Sequence, residues 1–304
     1  VQDYGMGRFV NIEQKGGGNY LKENTSWAKQ SIAHNTLVQN EKSHFEGKYD
    51  IGSKHHSNSY VFSVEEENVQ VASAKEENAY PGTKLHRTMV TIKDEDDENP
   101  YVLDILRVTS EHINQYDLPF YFLGHIMQTN FDYSKLSVPE ILGKSNGYQH
   151  LYKEASASVK EGNIKLNWLL NNKFYTYTAV TDNQDEVIFG RIGANDPDFN
   201  LRNEQTVIVR KKNTKDAVFV STIESHGTYS PVSELAVNAY SQIENIAVIH
   251  NTNEYTAIQI KTKNDQSKFF ILSNSNNDKE FEHKLTIDNK EYSWRGPYIL
   301  IENK

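Results

Sequence analysis

Cysteine is absent from all 304 residues. That excludes a Cys₄ or Cys₂His₂ zinc site and a disulfide framework. It fits a bacterial envelope protein or a cytosolic one and chooses neither. A basic stripe is also missing. Lys and Arg number 32 against 41 Asp and Glu, for a formal net charge of −9. A protein that tracks nucleic acid phosphates carries clustered cations, so nucleic acid is not an expected partner. No stretch approaches the ~20 apolar residues of a membrane-spanning helix. No Gly-x-Ser-x-Gly elbow occurs, which argues against an esterase of the α/β-hydrolase type. No segment carries a sustained 3.6-residue apolar stripe, although 132–143 has room for a short helix. The chain opens VQDYGMGRFV, with neither an initial Met nor a charged-then-apolar leader. It starts inside a strand-like run, and the expectation is a processed or excised piece of a longer protein.

What is present is aromatic and strand-like. Hydrophobic residues make up 37% and mean hydropathy is −0.70, yet 18 Tyr and 13 Phe supply large burial per residue. The chain is therefore read as folded. Short runs rich in β-branched and aromatic residues recur roughly every 10–15 residues, many alternating with period two. NVQVASAK, RTMVTIKD, YVLDILRVTS, KFYTYTAVTD, EVIFGRIG and IAVIHNTN are examples. The pattern predicts an all-β fold, a large multi-sheet antiparallel β-sandwich of two or three sheets. Helix is expected for one or two turns only. No linker, low-complexity tract or repeat divides the chain, so residues 1–304 are read as one domain. A weak seam near 210–215 is best explained by a hairpin turn. The acidic runs at 65–67 and 94–98 read as solvated turns.

Residues 11–30, NIEQKGGGNYLKENTSWAKQ, differ in texture and lack a strand pattern. Gly16, Gly17 and Gly18 allow a backbone to come close to another surface. The stretch is long for a hairpin loop, and long loops on β scaffolds often carry function. A mobile tip is the plain alternative. A phosphate cradle fits poorly, because no helix opening with Lys-Ser/Thr follows the glycines.

Several motifs carry a resemblance. QDYGMGRFVNIE, GGNYLKENTSWAKQSIAHNTLV and SHFEG lie near the start; ENAYPG, QYDLPFY, NGYQHLY, FGRIGANDPDFNLR and SHGTYSPVSE follow. Together they resemble the C-terminal β-domain of heparinase II/III-like polysaccharide lyases, and more closely the oligoalginate lyases of polysaccharide lyase family 17. That family joins an N-terminal helical toroid to a C-terminal sandwich, and this chain looks like the sandwich alone. The resemblance implies that the toroid, with an Asn-His pair and a Tyr base, lies upstream. Residues 11–30 would then be an active-site loop segment. It further implies cleavage of alginate or oligoalginate by β-elimination. A base takes the proton at C5, charge builds on the neighbouring carboxylate, and the C4 oxygen leaves with a proton.

Within that frame Tyr20 matches a tyrosine of the active cleft and Arg8 a substrate-binding arginine. A Tyr works in proton transfer only if nearby cations lower its pKa from ~10, and Lys15 and Lys22 flank Tyr20. A guanidinium holds a carboxylate through two parallel hydrogen bonds, which suits Arg8 to a uronate. Packing of Tyr20 and a surface ion pair at Arg8 are the plain alternatives. The resemblance also implies a structural zinc ion, bound by Asp3, by His34 of the HNT stretch, and by a His upstream of residue 1. Without it, His34 reads as a turn residue. His55 and His56 read as a solvated strand edge. His125, His150 and His226 read as hydrogen-bonded core or rim residues.

Two further readings stay open: a non-catalytic carbohydrate-binding sandwich that stacks glycans on exposed aromatics, and a lyase of the same superfamily acting on heparan sulfate-like glycans. The acidic balance weighs against the second. A secreted or periplasmic parent is expected from its polymer substrate, and a homodimer is left open.

Overall fold

The computed structural model describes residues 1–5, 21–93, 99–264 and 266–303. Among them, three antiparallel sheets and one separate hairpin account for the architecture. The first sheet runs Val38–Gln39, Asn114–Phe122, Gln205–Thr214, Glu186–Ile192, Leu151–Ser158, Ser134–Ile141. The second runs Asn58–Ser63, Val69–Tyr80, Thr83–Ile92, Tyr101–Ser110, Ala217–Ser230, Lys173–Thr181, Gly162–Leu170, His125–Thr129, with Leu235–Val237 paired to Ala217–Ser230. The third runs Ile243–Asn251, Tyr255–Thr262, Ser267–Ser273, Tyr298–Asn303. Glu282–Ile287 and Lys290–Arg295 form the hairpin. The expected all-β, multi-sheet sandwich is what the chain forms.

Alternation explains the stacking. In Gln205–Thr214, Val207 and Val209 point into the cluster shared with the second sheet, with Phe120, Trp168, Tyr177 and Phe219. Ile208 points the other way. Tyr101–Ser110 is buried on both faces. Leu106 and Val108 face the first sheet, while Leu103 and Ile105 face Ile258, Ile260 and Phe270 of the third. Ala257 and Ile271 of the third sheet then pack on Leu285, Tyr292 and Trp294 of the hairpin. Each buried aliphatic or aromatic side chain contributes about 1.5–3 kcal/mol.

Helix is confined to short turns among the described residues, the longest a run over 22–28 that includes the π-helical Asn24–Ala28. No helix there is long and apolar enough to cross a membrane.

Two local expectations are corrected. Residues 132–143 contain the strand Ser134–Ile141 rather than a helix. The turn after Thr214 is not a hairpin: Gln205–Thr214 stays in the first sheet and Ala217–Ser230 enters the second, so the chain crosses the sandwich there. Tyr116 Oη donates to Lys215 O (2.8 Å) and Ser110 N to Asp216 Oδ1 (3.0 Å), which fixes the crossing. Glu65, Glu66 and Glu67 are exposed in a turn, while 94–98 lie outside the described residues.

Candidate functional site

The site assembles on the outer face of the first sheet. Ile188, Ile192, Ile208, Tyr121 and Leu151 present an apolar surface there, and Trp27, Ile32 and Ala33 cover it. Both ends of the covering chain are tied to the strand Asn114–Phe122. Gln2 N donates to Tyr121 O (2.8 Å). Asn35 Oδ1 accepts from Tyr121 N (2.8 Å) and its Nδ2 donates to Gln2 O (2.7 Å). A 3₁₀ turn, Ser31–Ala33, ends at His34. The stitching by Asn35 lays residue 3 against residue 34.

Asp3 and His34 are thus brought together, with His34 Nδ1 2.7 Å from Asp3 Oδ1. His34 Nε2 lies 3.0 Å from Ala28 O. A carbonyl only accepts, so Nε2 carries a proton and donates it. The Nδ1 position therefore faces a carboxylate, and either a second ring proton or a cation must lie between them. Metal-bound histidines commonly donate their other N–H to a backbone carbonyl, as here. Ligands at ~2.0–2.1 Å from a tetrahedral zinc stand about 3.3 Å apart, so metal binding would open this pair by roughly half an ångström. The donors fit two positions of a zinc site. Among the described residues no third His, Asp or Glu completes a cluster with them.

Arg8 and Tyr20 lie outside the described residues, as do Lys15 and the three glycines. Their flanks are described. The Tyr4 and Trp27 rings meet edge to face at 5.7 Å. Tyr4 is clamped by Arg202: the guanidinium lies 4.1 Å from the ring centroid, Arg202 Nη2 donates to Tyr4 O (2.8 Å), and Arg202 N donates to Tyr4 Oη (3.0 Å). Burial pushes the Tyr4 phenol up to about 12, so it stays protonated at neutral pH. Arg202 Nε also lies 2.7 Å from Glu204, whose carboxyl burial pushes up. Asp196 holds the preceding turn by accepting from Asn200 N (3.1 Å) and Leu201 N (2.8 Å). Lys22 Nζ lies 3.7 Å from the buried Glu23 carboxylate.

His150 sits beneath Trp27, their ring centroids 6.3 Å apart. Its Nδ1 donates to Ala194 O (3.1 Å) and Nε2 accepts from the Ser26 hydroxyl (2.8 Å). Burial lowers its pKa, which keeps the ring neutral. His226 is likewise buried, donating to Asn238 O (2.8 Å) and accepting from Thr176 (2.9 Å). His125 is exposed at a sheet edge. His55 and His56 are exposed too, but in the turn after Tyr49–Gly52 rather than on a strand; His55 stacks on Phe45 at 5.6 Å.

Asn35, Tyr4 and Arg202 are the organising residues that sequence reasoning passed over. Asn35 sits inside the HNT stretch, beside a histidine whose chemistry is the more obvious. Arg202 closes FGRIGANDPDFNLR, a motif with no chemistry of its own until its contact with Tyr4 is seen.

Comparison with known proteins bears on the whole chain. Residues 1–261 match the family model described as heparinase II/III-like, C-terminal. An exo-oligoalginate lyase of Saccharophagus degradans is 38% identical over 301 residues, 97% of this chain and 40% of that protein. An alginate lyase of Stenotrophomonas maltophilia is 38% identical over 303 residues, 99% of this chain and 40% of that protein. The chain thus spans less than half the length of these relatives. Among solved structures, a heparinase III superposes with a TM-score of 0.55 at 10% identity, covering 89% of this chain and 34% of that one. A heparan sulfate lyase of Pedobacter heparinus gives 0.51 at 12% identity, covering 91% and 35%. At that identity these two show the shared fold alone. The match over residues 1–261, with two relatives at 38% identity along nearly all of its length, places this chain in the heparinase II/III-like C-terminal family.

Proposed function

We propose that this chain is the β-sandwich part of a lyase that cleaves alginate or oligoalginate by β-elimination, and that it lends a proton-transfer group and a carboxylate-binding group to a cleft completed by another domain. The observation that carries this reading is the anchoring of residues 1–5 and 21–35 at one place on the first sheet, Tyr4 against Trp27, with Arg8 and Tyr20 on the intervening chain. The names of the two relatives at 38% identity supply the substrate class.

The chemistry divides accordingly. Removal of the C5 proton leaves charge on the uronate carboxylate, and a bidentate guanidinium from Arg8 stabilises it as it grows. Tyr20 passes a proton at the C5 or O4 position. The remaining base and carboxylate partner belong to the upstream helical toroid. A zinc ion at Asp3 and His34 would act as a structural cross-link between the first residues and the HNT turn, and no step passes through it. Export of the full-length protein, to the periplasm or beyond, belongs to the same reading.

The test is the absorbance of unsaturated uronate released from alginate, oligoalginate and heparan sulfate by the full-length protein. Tyr20→Phe keeps the ring and deletes the proton, so turnover on alginate should fall by about 10²–10⁴-fold with stability unchanged. Arg8→Lys should chiefly raise KM, because Lys cannot make the paired contact. Near-full turnover in Tyr20→Phe would remove the proton-transfer role. Product from heparan sulfate but not alginate would overturn the substrate class.

A further inference from the structure

A recess opens on the face of the second sheet that points away from Asp3 and His34. Strand Gly162–Leu170 alternates there. Ile164, Leu166 and Trp168 enter the core, while Lys165 and Asn167 point outward. Gln128, Asn130, Lys165, Asn167, Tyr240 and Lys263 line the recess. The chain leading into the third sheet forms one wall. Asn167 Nδ2 donates to Ala239 O (2.9 Å) and Lys165 Nζ to Ile243 O (2.7 Å). One of the three N–H donors of Lys165 is thereby used, and its stem is half-buried.

The charge balance of this recess is uneven. Lys263 Nζ lies 5.7 Å from the centroid of the Tyr240 ring, and Tyr240 is 63% exposed. Burial lowers the pKa of Lys165, and the nearby charge of Lys263 lowers it further, against opposite pulls from Glu224 and Glu244. Both carboxylates have partners of their own, Glu224 behind the recess wall. Glu224 accepts from the Ser241 hydroxyl and from Gln242 N (2.8 Å), and Glu244 lies 3.2 Å from Lys261. Among the described residues no carboxylate is part of the lining. An anion placed between the two ammonium groups would relieve their repulsion.

The ring and the amides narrow the ligand. A bare inorganic anion makes no use of an exposed aromatic face. The exposed lining is mostly carbon, with the amide, hydroxyl and ammonium groups of Gln128, Asn130, Asn167, Lys165 and Lys263 set into it, a mix suited to a ligand with both an apolar face and polar substituents. A sugar ring has an apolar C–H face to lay on Tyr240, hydroxyls for Gln128, and, if it is a uronate, a carboxylate for the cations. We propose that this recess holds a uronate residue of an acidic glycan. The kind of sugar rests on the reading given above; the preference for an anion rests on Lys165 and Lys263.

Site-resolved acetylation of lysines in the full-length protein tests it. Oligouronate in excess should protect Lys263 and Lys165 from an amine-reactive acetyl donor, whereas a neutral oligosaccharide of equal length should not. Tyr240→Ala should raise the oligouronate concentration needed for protection by roughly threefold to tenfold. Equal protection by acetate at the same carboxylate concentration would mean a simple anion site and would overturn the proposal, as would no protection at all. Unsaturated uronate is read in the same samples. Protection without turnover keeps the recess and removes the lyase reading; turnover without protection does the reverse.

Discussion

The two outer faces of the central sandwich are covered in opposite ways. The third sheet covers the second with regular strands, and the contact is aliphatic and aromatic: Ile246, Ile258, Ile260, Phe270 and Leu272 against Val71, Val90 and Ile105. Irregular chain covers the first sheet. It too is anchored by apolar groups, Trp27 and Ile32 above all, but polar groups are buried with them. Glu23 and Asn24 are almost fully buried, and Asn24 Oδ1 and Trp27 Nε1 have no hydrogen-bond partner among the described residues. Buried polar atoms of this kind cost stability unless paired, so regular packing alone does not account for them. The contrast fits the proposed site, which lies on the irregular covering. A strand covering hides backbone polar groups in its ladder, whereas turns leave side chains and carbonyls, such as Ala28 O, for chemistry.

The largest expected effects test that contrast directly. Trp27→Ala and Phe270→Ala each empty a fully buried site and should each cost about 3–5 kcal/mol in urea unfolding. Their effects on turnover should diverge. Trp27→Ala removes the contact with Tyr4 and, on the proposed function, should abolish most turnover of the full-length protein per folded molecule. Phe270→Ala should leave it near wild type. Equal turnover losses would erase the distinction between a functional and a structural covering.

A second difference concerns acid. The seam between second and third sheets contains His86. Its Nε2 bonds the Ser73 hydroxyl (2.8 Å), and its ring meets Tyr60 edge-on at 4.8 Å. Tyr60 Oη in turn donates to Ser273 O (2.9 Å) in the third sheet. Burial, helped by Lys75 and Arg107, pushes the His86 pKa down to about 3. The unfolded chain, with a histidine pKa near 6.5, takes up that proton first. This contribution is therefore whole above about pH 6.5 and is lost as pH falls towards 3. Unfolding free energy should drop by about 2 kcal/mol more between pH 7 and 5 in wild type than in His86→Leu. Parallel pH curves for the two proteins would count against a neutral buried His86.

How much of this was legible follows the same division. Strands buried on one face or both wrote their pattern into the sequence: Val69, Val71 and Ser73 alternate with exposed Gln70 and Ala72, and YVLDILRVTS reads as a continuous buried run. Ser134–Ile141 did not, because it is an edge strand with nearly every side chain exposed, so no alternation marks it and its Leu, Glu and Ile suit a helix as well. The crossing after Thr214 was missed because a polar turn looks alike whether its strands pair or part. At the site, His34 and Asp3 were legible only through family resemblance. A contact between residues 31 positions apart leaves no local signature, and it is made by Asn35, whose two bonds go to backbone.

The smallest effect decides what Asp3 and His34 do. Their side chains are 59% and 34% exposed, and an exposed ion pair contributes only about 0–1 kcal/mol. If the pair is no more than that, Asp3→Asn and His34→Ala will scarcely move the unfolding midpoint, and a chelator will do nothing to wild type. A bound zinc ion changes the expectation. Binding to the folded state alone adds RT ln(1 + [L]/Kd), so wild-type stability becomes zinc-dependent, and each substitution removes a ligand. The measurement is metal content by emission spectrometry, with melting temperature read with and without chelator, on the full-length protein. Asn35→Ala separates positioning from ligation. It removes no ligand but loosens residues 1–5, which carry Asp3, by deleting two hydrogen bonds, so it should lower stability with chelator present and, if zinc is bound, by more without it. Stoichiometric zinc retained by His34→Ala, or a wild type indifferent to chelator, would leave Asp3 and His34 as a surface ion pair.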